Sequence, residues 1–161
     1  MEDAKYTAIQ VAKYLIDKSN NESDSEPRKK LTNIKLQKIL YYAQGWYLAN
    51  FGKPLFKDSI EAWKLGPAIK EVYAAYKSYG SKTIDEKIDS DDLEKIASDD
   101  KVFLDKLWDV YKDFSANDLI TATHNEKPWK EARFEIQEGE SSSIEIPIST
   151  IRDYFTSLKD S

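Results

Sequence analysis

Cysteine is absent from this chain, histidine occurs once, and no apolar run approaches the roughly 18 residues a membrane-spanning helix needs. Without cysteine there is no disulfide framework and no thiolate zinc site, and the composition leans toward a reducing cytoplasm. With one histidine, a His-x-x-x-His zinc pair is impossible. His124-Asn125-Glu126 matches half of a zinc deaminase motif, but the other half needs two cysteines. No serine sits in a Gly-x-Ser-x-Gly elbow, and no glycine-rich phosphate loop or internal repeat is present. Met1-Glu2-Asp3 opens acidic with no apolar segment behind it, so no signal peptide is expected. Neither a metal nor a cofactor is expected.

What remains is the composition of a globular domain: 161 residues, 40% hydrophobic, 33% charged and 12% aromatic. A chain of this length buries roughly 68–70% of its unfolded surface and needs no covalent staple. The net charge of −5 is unevenly placed. Residues 85–113 hold eleven Asp and Glu against five Lys, a local excess of −6. That block reads as a solvated face or as the counterpart of a basic protein. Arg28, Lys29, Lys30, Lys35 and Lys38 form an acid-free stretch, read as a solvated loop and helix start. An acidic domain neutralises phosphates poorly, so nucleic acid is an unlikely partner.

Periodicity predicts a mainly α fold of about six to eight helices, with a small two- or three-stranded sheet. Ala8, Val11, Ala12, Leu15 and Ile16 mark the first helix, and residues 19–30 read as a mobile loop. Thr32 caps the second, with Leu31 and Leu36 as a hydrophobic staple. Its stripe is Leu36, Ile39, Leu40, Ala43, Tyr47 and Phe51, and Gly52 stops it. Tyr42 and Trp46 lie on an adjacent face, and Gly45 marks a close approach of another element.

Residues 54–64 read as extended, with 58–63 pairing 81–88, and Gly66-Pro67 opens a third helix carrying Ile69, Val72, Tyr73 and Tyr76. A weak helix follows near 91–97, then one with Phe103, Leu107, Val110, Tyr111 and Phe114 on its face. Ser115 and Asp118 form a capping box, with Phe114 and Leu119 as staple, and the helix ends near His124. Pro128 starts a turn bearing Trp129, Ala132 and Arg133, residues 137–143 are an exposed loop, and Ser149 caps a final helix.

His124 is the one side chain whose ordinary pKa lies near neutrality, so any acid–base chemistry starts there. The competing reading has its ring capping carbonyls at a helix end, where positive charge is favoured. Trp129 is a core residue or a binding anchor, and Arg133 pairs with Glu126 or Glu131.

Two blocks carry a family resemblance. One runs Lys35-Leu36-Gln37-Lys38-Ile39-Leu40-Tyr41-Tyr42-Ala43-Gln44-Gly45-Trp46, then Gly52 to Phe56, Ile60 to Trp63 and Gly66-Pro67. The other is Leu119 to Arg133, with its Thr-His-x-Glu-x-Pro-Trp core. Together they resemble the Panacea domain, the family of SocA-type antitoxins and phage-associated GepA proteins. The resemblance spans about Thr7 to Phe155; Ala68 stands where the family usually has Val after Gly-Pro.

It implies one domain over residues 1–161, acting without catalysis as the antitoxin of a toxin–antitoxin module. The implied partner is a cognate toxin from the adjacent gene, with a cytoplasmic protease as a second partner if the protein is an adaptor. Trp63, Gly66, Pro67, His124, Pro128, Trp129 and Arg133 are then the residues that build or support the binding region. Two alternatives stand beside this: a phage or mobile-element regulator binding host protein or nucleic acid, and a hydrolase with His124 as general base.

Overall fold

A helix with apolar residues on every side must lie inside a fold. Ile39 to Gly52 contains no charged residue, and the helix that holds it, α2, is the element around which the others pack. The computed structural model describes residues 3–22 and 30–161. Among these, the order is α1 (Ala8–Glu22), α2 (Asn33–Phe51), β1 (Glu61–Trp63), β2 (Gly66–Ala68), α3 (Lys70–Ala75), α4 (Ser90–Glu94), α5 (Ser98–Tyr111), α6 (Ala116–His124), α7 (Lys127–Ala132) and α8 (Ile148–Lys159). The fold is mainly α with one small sheet, as the periodicity predicts.

The ends of α2 follow from its sequence. Thr32 Oγ1 accepts from the Lys35 N–H at 3.3 Å. Gly52, at φ 72°, donates its N–H to the Leu48 carbonyl. Leu31 and Leu36 are both fully buried, as a staple requires. At Gly45, α8 crosses so closely that a Cβ would lie 2.2 Å from the Phe155 ring. Trp46 and Tyr42 pack on neighbouring helices: Tyr42 stacks on Tyr111, and Trp46 meets Phe155 edge-on.

Two buried glutamines tie the following chain to α2. Gln44 accepts from the N–H groups of Leu55 and Phe56 and donates to the Phe56 carbonyl. Gln37 accepts from Ile69 N and donates to Asn33. These bonds fix the segment that leads into and out of the sheet.

Several readings need correction. The first helix runs on through Glu22, because Ser19 and Asn20 find partners: Ser19 Oγ accepts from Leu31 N, and Asn20 donates to the Glu86 carbonyl. The rest of the 19–30 loop reading, residues 23–29, lies outside the described residues, as do Arg28 and Lys29. Gly66-Pro67 does not open a helix. It forms β2, antiparallel to β1 with Trp63 opposite Gly66 and Ala62 opposite Pro67, and α3 begins only at Lys70. Residues 58–63 therefore pair with β2 and with 144–146, where Ala62 N bonds Ile144 O and Ile146 N bonds Ile60 O. Residues 81–88 instead touch the entry to α2, through a Thr32–Thr83 bridge.

Smaller shifts concern exposure. Phe51 is half exposed, beyond the turn of α2 that the core covers. On α5 the buried face is Leu104, Leu107 and Trp108, leaving Val110 exposed and Phe114 partly exposed beside Tyr111. The α8 helix starts behind Pro147, one residue ahead of Ser149. Lys35 and Lys38 are buried rather than solvated.

Candidate functional site

The hairpin β1–β2 turns through Lys64 and Leu65, neither of which has positive φ. Gly66 supplies the left-handed geometry instead, at φ 111°. It also leaves no room for a side chain: a Cβ would lie 2.8 Å from Lys38 Cε and 2.9 Å from Thr123 Oγ1. Pro67 lacks an N–H but keeps its carbonyl, which accepts from Lys38 Nζ at 3.0 Å. The Gly-Pro pair thus brings backbone directly onto α2 and α6.

The second motif clamps the first. Ser115 and Asp118 close a reciprocal capping box at the start of α6, and the helix ends at His124. Pro128, buried in the first turn of α7, sets Trp129 over the histidine. The two rings stack with centroids 4.0 Å apart and 11° between planes. Trp129 Nε1 donates to the Trp63 carbonyl at 2.8 Å. Arg133 lies with its guanidinium 5.1 Å from the Trp129 ring centroid. Its Nη1 donates to the Ala62 carbonyl at 2.9 Å, and Nη2 to the Glu140 carbonyl. Hence Trp63, Gly66, Pro67, His124, Pro128, Trp129 and Arg133, remote in sequence, converge on one hairpin.

Arg133 does not pair with Glu126 or Glu131, contrary to the sequence reading. It is buried, and two backbone carbonyls take its donors. Glu131 pairs with Lys127, while Glu126 accepts from the Tyr41 and Tyr42 hydroxyls at 3.0 and 2.8 Å. Burial raises the Glu126 pKa, and the two tyrosine bonds oppose that rise.

His124 sits in surroundings that disfavour its charge. Burial lowers its pKa first and the nearby Lys38 second, against a hydrogen bond to the Lys64 backbone. Its Nε2 is buried without a partner among the described residues. The ring stacks on the Trp129 indole at the end of α6, in surroundings that weigh against the positive charge of a helix cap. The hydrogen-bond partner of this ring is the Lys64 backbone, not a carboxylate or hydroxyl among the described residues. No group of three or more His, Asp or Glu side chains is placed to hold a metal among the described residues. No helix among them is long and apolar enough to cross a membrane.

Beside the hairpin lies a cleft of about 510 Å³, lined by Ile34, Lys38, Trp63, Leu65 and Tyr73 among others. Trp63 meets Tyr73 edge-on at 5.1 Å, and Leu65 at the hairpin tip is half exposed. Lys38 is the residue that sequence reasoning missed. Its side chain lines the cleft with Nζ bonded to the Pro67 carbonyl, and burial pushes its pKa down to about 7. The available signal was its place on α2, three residues after Lys35 and just before the charge-free run.

These features define a helical domain whose small hairpin is clamped by a His–Trp–Arg stack. Comparison with known proteins places that architecture: the chain belongs to the family described as antitoxin SocA-like, Panacea domain, which its residues 36–130 match. A 54-residue stretch is 43% identical to antitoxin SocA of Caulobacter vibrioides (strain NA1000 / CB15N). That stretch covers 34% of this chain and 29% of the relative, so the two are matched over less than a third of the relative's length. No solved structure matches.

Proposed function

We propose that this chain is a non-enzymatic antitoxin of the cytoplasm that neutralises a cognate toxin by direct protein–protein contact, and that residues 1–161 act as one Panacea unit. The observation that carries the reading is the family match over residues 36–130, which includes both the hairpin and the histidine-to-tryptophan clamp. Trp63, Gly66, Pro67, His124, Pro128, Trp129 and Arg133 shape the binding region. Most of them face other parts of the chain, so the contact itself falls to exposed neighbours. Leu65 at the hairpin tip and Phe134, 87% exposed immediately after Arg133, are the apolar side chains the clamp presents. Exposed aromatic and aliphatic anchors beside a rigid support are what a protein partner uses.

The test is co-expression with the product of the adjacent gene. Growth arrest by that product alone, relieved by this chain, is the expected outcome; a harmless neighbour rejects the reading. Leu65→Asp combined with Phe134→Asp is expected to abolish relief while leaving the circular dichroism spectrum intact. The lifetime of the toxin separates two modes of neutralisation. An unchanged lifetime means sequestration, whereas a shortened one means delivery to a cytoplasmic protease.

A further inference from the structure

The cleft between α2 and the hairpin has an unusual polar inventory. Its neutral polar side chains from α2 are already engaged: Asn33 donates to the Tyr73 carbonyl, and Gln37 uses both ends within the chain. Trp63 Nε1 is taken by Glu61. Lys38 is different. An ammonium has three donors, and Nζ makes one hydrogen bond, to the Pro67 carbonyl. No carboxylate among the described residues pairs with it, although the side chain is almost wholly buried.

Charge sharpens the contrast. The chain as a whole is acidic, at −5. Yet the charged residues lining this cleft are Lys38 and Lys64; the Glu61 carboxylate, held on the Trp63 indole, is not part of the lining. Next door, Lys38 and Arg133 lower the pKa of His124 while Glu138 raises it, so two cations and one acid bear on that ring. The remaining lining is largely apolar, through Ile34, Trp63, Leu65 and Tyr73. A cleft of this volume lies within the range of small-ligand sites.

We propose that this cleft binds an apolar group ending in a carboxylate, with Lys38 Nζ as the anchor and the Trp63–Leu65–Tyr73 wall holding the apolar body. One buried amine, with Lys64 and the hydroxyls of Ser81, Ser141 and Ser142 in the lining but no arginine fork, suits a monoanion better than a phosphate, which carries more charge and asks for more donors. A bound carboxylate would give the buried ammonium the counter-charge it lacks and keep its proton in place. The shared chemistry has two sources, a free monocarboxylic acid or the C-terminal carboxylate of an apolar peptide. The inference stands whether or not the chain neutralises a toxin.

The experiment uses the intact chain and four probes: octanoate, octanamide, the peptide acetyl-Ala-Ala-Leu with a free C-terminus, and its carboxamide. Binding is followed by calorimetry and by NMR shifts of Trp63, Gly66 and Tyr73. An acid is expected to bind about tenfold or more tightly than its amide, the weight of one charge-assisted hydrogen bond. Lys38→Met is expected to erase that difference while keeping the stem's length and packing. Tighter binding of octanoate assigns the site to a free acid, and tighter binding of the peptide assigns it to a chain end. Equal binding of acid and amide overturns the proposal, as does binding unchanged in Lys38→Met or no binding of either acid at millimolar concentration. If Lys38→Met fails to fold, the acid-to-amide comparison on the native chain decides alone.

Discussion

Two buried charges, Asp100 and Lys38, show how differently one fold treats ionised groups. Asp100 opens α5, and each of its oxygens is engaged. Oδ2 accepts from Tyr6 at 2.5 Å and lies 3.5 Å from Lys5 Nζ, while Oδ1 accepts from Tyr47 at 2.8 Å. Burial pushes the Asp100 pKa up, but these donors outweigh it and hold the carboxyl below its usual range. The charge joins the start of the chain to α2 and α5. Lys38 has one carbonyl and an apolar cleft. Burial acts on it unopposed and drives it toward the neutral form. A fully partnered buried charge holds structure together, whereas an under-partnered one at a cleft marks a place where something else belongs.

Breaking Asp100 gives the largest effect. Asp100→Ala strands two buried tyrosine hydroxyls and is expected to cost about 3 kcal/mol in urea unfolding at neutral pH. The folded pKa is depressed, so this contribution is present above the unfolded value of about 3.9 and fades as pH falls through the folded value. The gap between wild type and Asp100→Ala should therefore close in acid. A gap that persists there would show that packing, not the ionised carboxylate, supplies the stability.

Next in size is Gly66→Ala, which sharpens the Lys38 side of the comparison. The new Cβ meets Lys38 and Thr123 and forces a strained φ, at a cost of about 1–3 kcal/mol. Because it pushes on the anchoring lysine, carboxylate binding should weaken along with stability. The measurement is thermal unfolding alongside octanoate titration; weaker stability with unchanged titration would separate the hairpin turn from the cleft.

Local signals in the sequence carried the helices well. The Thr32 cap, the Gly52 stop, the Ser115–Asp118 box and the close approach at Gly45 are each set within a few residues, and the structure shows them all. The hairpin escaped because its turn residues, Lys64 and Leu65, carry no turn signature, and the glycine that supplies positive φ sits just beyond them. Pro67 looks like a helix opener until Ala62 is seen opposite it. The polar site was less legible still. Arg133 finds its partner 71 positions away at Ala62, and Tyr42 reaches Glu126 across 84. No local pattern announces such partners. Both Lys38 and Asp100 sat in charge runs whose ordinary reading is a solvated face, and only the surrounding helices reverse that reading.

The smallest effect is the most discriminating. Lys38→Met is expected to be no less stable than wild type near neutral pH, since a buried, poorly compensated charge is often replaced by an apolar group at little or no cost. Its pH dependence should differ from that of Asp100. In the unfolded chain Lys38 titrates near 10.4, and in the folded chain near 7. Between those values the unfolded state binds more protons, so the native chain gains stability as pH rises. Below about pH 7 the full penalty of burying the ammonium is present, and it is relieved progressively toward pH 10. Relative to Lys38→Met, then, wild type should be weakest at about pH 6 and should recover by about pH 9, in difference measurements that cancel the shared tyrosines. A saturating carboxylate ligand should flatten this trend by giving the ammonium its missing partner. If the difference does not vary with pH, Lys38 is not held near its titration point, and the contrast with Asp100 fails at its charged end.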